Sequence, residues 1–211
     1  MSRAFADVFG VADAFHGIPM AGRTDAWILS DALAAHGIPA NDPRIAQYRE
    51  AYFHNLPDEI AAKPPGVRHG VMPGVRALLD ALSERAHRAG DVYIGLLTGN
   101  YETSARMKLE YFDLWRYFAC GAFGDAAADR NGLLAKALER VAACGGPSFG
   151  PRQTVIIGDT PLDIAVALAG GARSIGVATG YHDVQALRGA GADVVFEDLS
   201  DTAAVLTALT T

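Results

Sequence analysis

The run VIIGDTPLDI, residues 155 to 164, places two aspartates four positions apart, Asp159 and Asp163, directly after a string of apolar residues. With Pro161 near the first position of a helix, both carboxylates can lie on one side of the helix start and share a hard cation such as Mg2+. The same spacing also serves a simpler purpose, since Asp159 or Thr160 can cap the helix without holding a metal. A second polar tip closes IGLLTGN at 94 to 100 with Thr98, Gly99 and Asn100. A hydroxyl, a glycine that permits close backbone approach and a side-chain amide can together donate several hydrogen bonds to a phosphate, although such a turn is also ordinary loop chemistry. Lys108, in YETSARMKLEYF, is a surface lysine when read alone. Placed between the two tips in chain order, it could turn its ammonium inward as a point charge over the phosphate.

These tips need rigid elements behind them. Short apolar runs at 92 to 97, 120 to 123, 155 to 157, 174 to 178 and 194 to 196 predict strands, and helical patterns fall near 75 to 87, 102 to 112, 131 to 142, 161 to 169, 183 to 189 and 201 to 208. Alternation of this kind predicts an α/β fold with right-handed crossovers and a parallel sheet covered on both faces. Ligands of such folds sit at the carboxyl ends of the strands, where both polar tips fall.

The first sixty or so residues read as all-helical. Ala4, Phe5, Val8 and Phe9 share one helical face, Trp27, Ile28 and Ala32 mark a second, and Tyr48, Tyr52 and Phe53 a third. HGIP occurs at 16 to 19 and again at 36 to 39, and Gly followed by an apolar residue and Pro is helix-stop chemistry rather than a metal site. None of the six histidines stands at a metal-ligand spacing from another. The Pro- and Gly-rich stretch KPPGVRHGVMPG at 63 to 74 predicts a boundary, with a helical domain over 1 to 70 and an α/β domain over 71 to 211.

Composition narrows the function classes. A chain of 211 residues, half of them hydrophobic, can bury a full core, and its net charge of -6 offers no basic stripe for nucleic acid. Cys120 and Cys144 are neither CxxC-spaced nor numerous enough for a disulfide framework, which suits a reducing cytoplasm. No apolar run approaches the ~20 residues that span a bilayer, and the first ten residues lack a signal-peptide apolar block. The expectation is a soluble cytoplasmic protein with no nucleic-acid or membrane partner; its oligomeric state is not legible.

Taken together, Thr98 in LLTGN, Lys108 in the following helix and GDTPLD at 158 to 163 resemble motifs II, III and IV of the haloacid dehalogenase (HAD) superfamily, in that order. GRTDAWIL at 22 to 29 and YFDLWRYFACGAFGD at 111 to 125 are similar to its phosphoglycolate phosphatase-like branch, whose small helical cap sits over the site. The resemblance implies a Rossmann-like core and a Mg2+-dependent hydrolase of small phosphorylated metabolites. An aspartate of an Asp-x-Asp strand attacks phosphorus to form an aspartyl-phosphate, and the second aspartate serves as general acid and base. Carried over to this chain, Thr98, Gly99 and Asn100 hold phosphate, and Lys108 neutralises it and orients the nucleophile. Asp159 is then the direct Mg2+ ligand with Asp163 supporting it, and Arg23 is a substrate contact.

The departure concerns the nucleophile. No two aspartates in the chain are separated by a single residue, so motif I is absent, together with the strand that in the family lies between those bearing Thr98 and Asp159. The expectation is a chain whose amino-terminal strand is missing and which does not turn over as written. The other expectation, from a different class, is a non-catalytic phosphate- or metal-binding or interaction module. A dehalogenase fits less well, because a paired metal-binding motif is what a phosphate enzyme needs.

Overall fold

A computed structural model describes residues 1–62, 70–125 and 132–210. Three helices come first: α1 (Ser2–Phe9), α2 (Asp25–Ala35) and α3 (Arg44–Ala61). Thr24 starts α2 by accepting a hydrogen bond from the Trp27 amide at 3.1 Å, which satisfies one of the donors left over at a helix start. An aromatic cluster of Phe5, Phe15, Tyr48 and Tyr52 fills the space between the helices, and it also takes in Tyr101 from the later part of the chain. The second expected face needs correction. Ile28, Leu29, Ala32 and Leu33 form the buried stripe of α2, whereas Trp27 is 46% exposed and carries the Arg23 guanidinium over its ring. Gly37, from the second HGIP, has φ 67° just past the end of α2, as a helix stop requires.

The rest alternates strand and helix. Its elements are α4 (Val75–Ala89), β1 (Gly95–Leu97), α5 (Glu102–Tyr111), β2 (Cys120–Ala122), α6 (Leu133–Ala143), β3 (Val155–Gly158), α7 (Pro161–Gly170), β4 (Arg173–Val177), α8 (Val184–Gly189), β5 (Val194–Phe196) and α9 (Thr202–Thr210). Every strand pair is parallel. Among the described residues the strands make two sheets, β1–β2 and β3–β4–β5, so β1 and β3 are each hydrogen-bonded on one side only. One core nevertheless joins them: Ile156 of β3, Val166 and Ala167 of α7 and Leu134 of α6 pack with Leu97 of β1. A second core, with Leu78 and Leu82 of α4, Ile175 and Val177 of β4 and Val205 of α9, covers the β4–β5 side.

Part of the stretch expected to divide the chain, residues 63–69, lies outside the described residues. No helix among the described residues is long and apolar enough to cross a membrane. The two cysteines depart from the expectation. Cys120, at the start of β2, and Cys144, just past α6, are joined by a disulfide with a Cα–Cα distance of 6.3 Å. Their spacing of 24 residues carries no signature, because the two meet only once α6 has packed on β2. Cysteine usage therefore no longer argues for a reducing compartment.

Candidate functional site

The turn after β1 is held by contacts from several parts of the chain. The Thr98 amide donates to Ala122 O at 3.0 Å, continuing the β1–β2 ladder, and Thr98 Oγ1 accepts from the Asn100 amide at 3.2 Å. Gly124 packs so close that a Cβ there would overlap the Gly99 carbonyl oxygen, and its own amide donates to Asn100 O at 2.8 Å. Glycine is needed at 124 for that approach of one backbone to another. The Gly99 carbonyl accepts from the Asp25 amide at 2.8 Å.

Lys108 projects from α5 to the same turn, where its Nζ donates to Asn100 Oδ1. Burial pushes its ammonium below the ordinary lysine value, and the charge of Asp25 opposes that shift. The surface-lysine alternative therefore fails, and Thr98, Gly99, Asn100 and Lys108 form one group.

The turn after β3 is built differently. Thr160 caps α7 and Asp163 completes a capping box. Asp163 Oδ2 accepts from the Thr160 amide at 3.0 Å and lies 2.8 Å from Thr160 Oγ1. Pro161 occupies the first helical position and Gly171, with φ 70°, ends the helix. A Cβ on Gly158 would collide with the Asp163 carboxylate, and one on Gly180 would collide with that of Asp159. Two glycines thus leave room for two acids at the carboxyl end of β3. A cavity of about 250 Å³, lined by Asp159, Ile157, Val177 and Thr179, opens beside them. A carboxylate that is exposed beside a cavity and backed by a second, buried one supplies the hard oxygen donors that Mg2+ prefers, so the residues fit that ion. Among the described residues, no group of three or more His, Cys, Asp or Glu side chains gathers into a metal-holding cluster.

The stretch from 22 to 25 ties the two tips together. A Cβ on Gly22 would press on Thr160, whereas Thr24 lies against Gly124 and Asp25 bonds Gly99. Three residue steps reach at most ~11 Å, so the turn after β1 and the acidic turn after β3 lie beside one short strip. Arg23 sits in that strip with its guanidinium already engaged. It pairs with Asp31 at 2.6 Å, donates to Pro19 O at 3.0 Å and stacks 3.8 Å over Trp27, while its Nε is buried without a partner. In this arrangement the expected substrate contact acts as a brace for the start of α2.

Asp25 was missed as a working residue. An acid in the first turn of a helix reads as a surface charge facing the helix dipole, and nothing in GRTDAWIL says that it is buried against a turn some 75 residues away.

Parallel strands with two polar turns at their carboxyl ends define the class: an α/β protein of the kind whose ligands sit at the carboxyl end of the sheet. The HAD-hydrolase-like family model (Hydrolase_like) matches residues 128–202, which include the acidic turn. The chain is 30% identical over 186 residues to a phosphoglycolate phosphatase of Rhodospirillum rubrum, an alignment covering 86% of this chain and 71% of that protein. It is 34% identical over 159 residues to a phosphoglycolate phosphatase of Agrobacterium fabrum, covering 75% of this chain but only 60% of the relative's length. The fold matches the crystal structure of a predicted phosphoglycolate phosphatase from Haemophilus somnus with a TM-score of 0.66 at 15% identity, over 97% of this chain and 88% of that one. The chain belongs to the HAD superfamily, to its phosphoglycolate phosphatase-like branch, and its resemblance is to hydrolases.

Proposed function

We propose that this chain supplies the phosphate clamp and the metal site of a Mg2+-dependent phosphatase acting on a small phosphorylated metabolite. Thr98, Gly99 and Asn100 hold the transferred phosphoryl group by hydrogen bonds, and Lys108 neutralises its charge. Asp159 holds Mg2+ with Asp163 behind it, and the ion offsets negative charge on the phosphoryl oxygens when bound. Arg23 contacts substrate only after giving up Asp31. Residues 1 to 70 act as the helical cap and 71 to 211 as the core.

One observation supports this reading above the others. The clamp and the acids stand at the carboxyl ends of β1 and β3, and among the described residues each of these two strands is paired on one side only. A strand entering between them would satisfy both rows of backbone groups. If its end bore Asp-x-Asp, the nucleophile would stand between clamp and cation. The first aspartate would then take the phosphoryl group while the second protonates the leaving alcohol.

The test is p-nitrophenyl phosphate hydrolysis, comparing this chain with one carrying an added strand that ends in Asp-x-Asp. Mg2+-dependent turnover only in the extended chain, abolished by Lys108→Ala, is the expected result. Equal inactivity of a well-folded extended chain would overturn it. The absence of Asp-x-Asp from the sequence favours a second reading, a non-catalytic module that binds phosphate with Mg2+ without turnover. Calorimetry with both ligands and no binding in a folded sample rejects that reading.

A further inference from the structure

Asp25 stands at the first position of α2, where an acidic side chain ordinarily faces solvent or caps its own helix. Here Thr24 does the capping, and the Asp25 carboxylate is turned inward with the residue only 4% exposed. Buried carboxylates persist where they are hydrogen-bonded, and the partners of this one lie far along the chain. Oδ2 accepts from the Tyr101 amide at 3.0 Å and lies 3.0 Å from Ser104 Oγ. The Asp25 amide meanwhile donates to Gly99 O. One residue therefore grips the turn at 98–101 from both sides, by its backbone at Gly99 and by its side chain at Tyr101 and Ser104.

Ser104 and Lys108 are four apart on α5, so they share a helix face. Fixing Ser104 fixes the direction from which Lys108 approaches Asn100, and the same contact fixes the turn that carries Thr98. We propose that Asp25 is a positioning residue that sets the 98–101 turn and the first turn of α5 so that Thr98 and Lys108 meet one phosphoryl group. This rests on the phosphate-clamp reading above. Asp25 touches no reacting atom. It also makes the helical part a structural component of the clamp, since displacing α2 pulls on Gly99 and Tyr101 together.

The geometry separates positioning from charge. Both side-chain contacts end on Oδ2, so an asparagine with its amide oxygen in that place keeps them, whereas alanine takes the acceptor from Tyr101 N–H and leaves Ser104 Oγ with its contact to Tyr101 O at 3.0 Å. Inorganic phosphate binding with MgCl2 is measured by calorimetry on the full chain for wild type, Asp25→Ala, Asp25→Asn and Lys108→Ala, well below each melting temperature. Amide hydrogen exchange at Tyr101 is followed without ligand. Asp25→Ala is expected to bind at least tenfold more weakly with faster exchange at Tyr101, and Asp25→Asn to return within about threefold of wild type. A residue that only stabilises the fold would leave the affinity of the folded molecules unchanged, so a folded Asp25→Ala that binds like wild type overturns the proposal. Asp25→Asn binding as poorly as Asp25→Ala also overturns it, in favour of a role for the charge. Where Asp25→Ala does not fold, Ser104→Ala decides: a loss of about threefold supports the proposal, and wild-type affinity overturns it. Wild type and Lys108→Ala both failing to bind phosphate overturns the clamp reading and this proposal with it, an outcome distinct from the loss of the Asp25 effect alone.

Discussion

The two turns of the site hold their shape by opposite means. The turn after β3 supports itself: Thr160 and Asp163, three apart, exchange hydrogen bonds at the head of α7, with Pro161 pre-setting the first helical residue. The turn after β1 has one local contact, from the Asn100 amide to Thr98 Oγ1, and its other contacts come from distant parts of the chain. Thr98, Gly99 and Asn100 are held by Ala122 at the end of β2 and Gly124 just after it, by Lys108 from α5 and by Asp25 from α2. The second turn can thus be written in six consecutive residues, whereas the first also depends on three other segments arriving beside it. Damage far away should therefore reach the first turn and spare the second.

The largest expected effect tests this on the β1–β2 side. The Cys120–Cys144 bond joins residues 24 apart in sequence, from β2 to just past α6, and opening a loop of that size costs about 3.5 kcal/mol in the chain-entropy account. Reduction, or Cys120→Ser, should lower the urea midpoint by a corresponding amount. It should also raise amide exchange in 98–101 more than in 158–163; equal rises in the two turns would remove the contrast. Next comes Gly124→Ala. Its new Cβ would overlap the Gly99 carbonyl oxygen, which already accepts from Asp25 and cannot easily withdraw. Overpacking against backbone typically costs about 1–3 kcal/mol, and the upper end is expected here. The nearest atoms to a Cβ at 158 belong to the Asp163 side chain, whereas those at 124 include the Gly99 backbone, so denaturation should find Gly158→Ala milder than Gly124→Ala.

The same contrast explains what could be read before the structure was known. The order of elements was legible because apolar runs and helical periods are local, and β5 coincides with its expected bounds at 194–196. The acidic turn was legible for the same reason, down to a capping threonine. β1 is shorter than the apolar run that announced it, Gly95–Leu97 against 92–97, since a strand lasts only as long as its partner β2 does. Trp27 was put on the wrong side of α2 because the buried stripe runs through Ile28, Leu29, Ala32 and Leu33, and a large apolar residue at its edge looks the same in the sequence as one inside it. Asp25, Ser104 and Gly124 were invisible as parts of the site: each matters through a contact made by folding, and none has a short-range spacing that signals it. The disulfide was hidden on the same ground.

A smaller effect is expected inside the self-supporting turn. Thr160→Ala removes the cap oxygen of α7 and should cost about 1 kcal/mol, as N-cap replacements typically do. Asp163→Ala removes the other half of the box at a similar cost. Because the two serve one another, the double variant should lie close to either single in urea unfolding rather than at their sum. Additive losses would mean that each residue draws its stability from elsewhere, and the turn would then resemble its counterpart after β1 more closely than the hydrogen bonds indicate. Amide exchange at 98–101 should stay at the wild-type rate in all three variants.

The smallest effect separates the turns by pH. Burial holds the Lys108 ammonium below its ordinary value of 10.5 in the folded chain, with Asp25 opposing, so between the folded and unfolded values the unfolded state carries more protons. By linkage, stability from this group rises with pH across that window: the cost of burying the charge is fully present below the folded value and relieved as pH climbs towards 10.5. Lys108→Met should abolish that rise, so the difference in unfolding free energy between the variant and wild type should narrow as pH increases. Phosphate affinity should move the other way in the same window, because the neutral amine no longer offers a charge to the anion. A protein that becomes more stable while its clamp weakens would tie both changes to one lysine. Parallel falls in stability and affinity would instead indicate that the β1 turn itself loosens at alkaline pH. Thr160→Ala, confined to the other turn, should leave both slopes as they are in wild type.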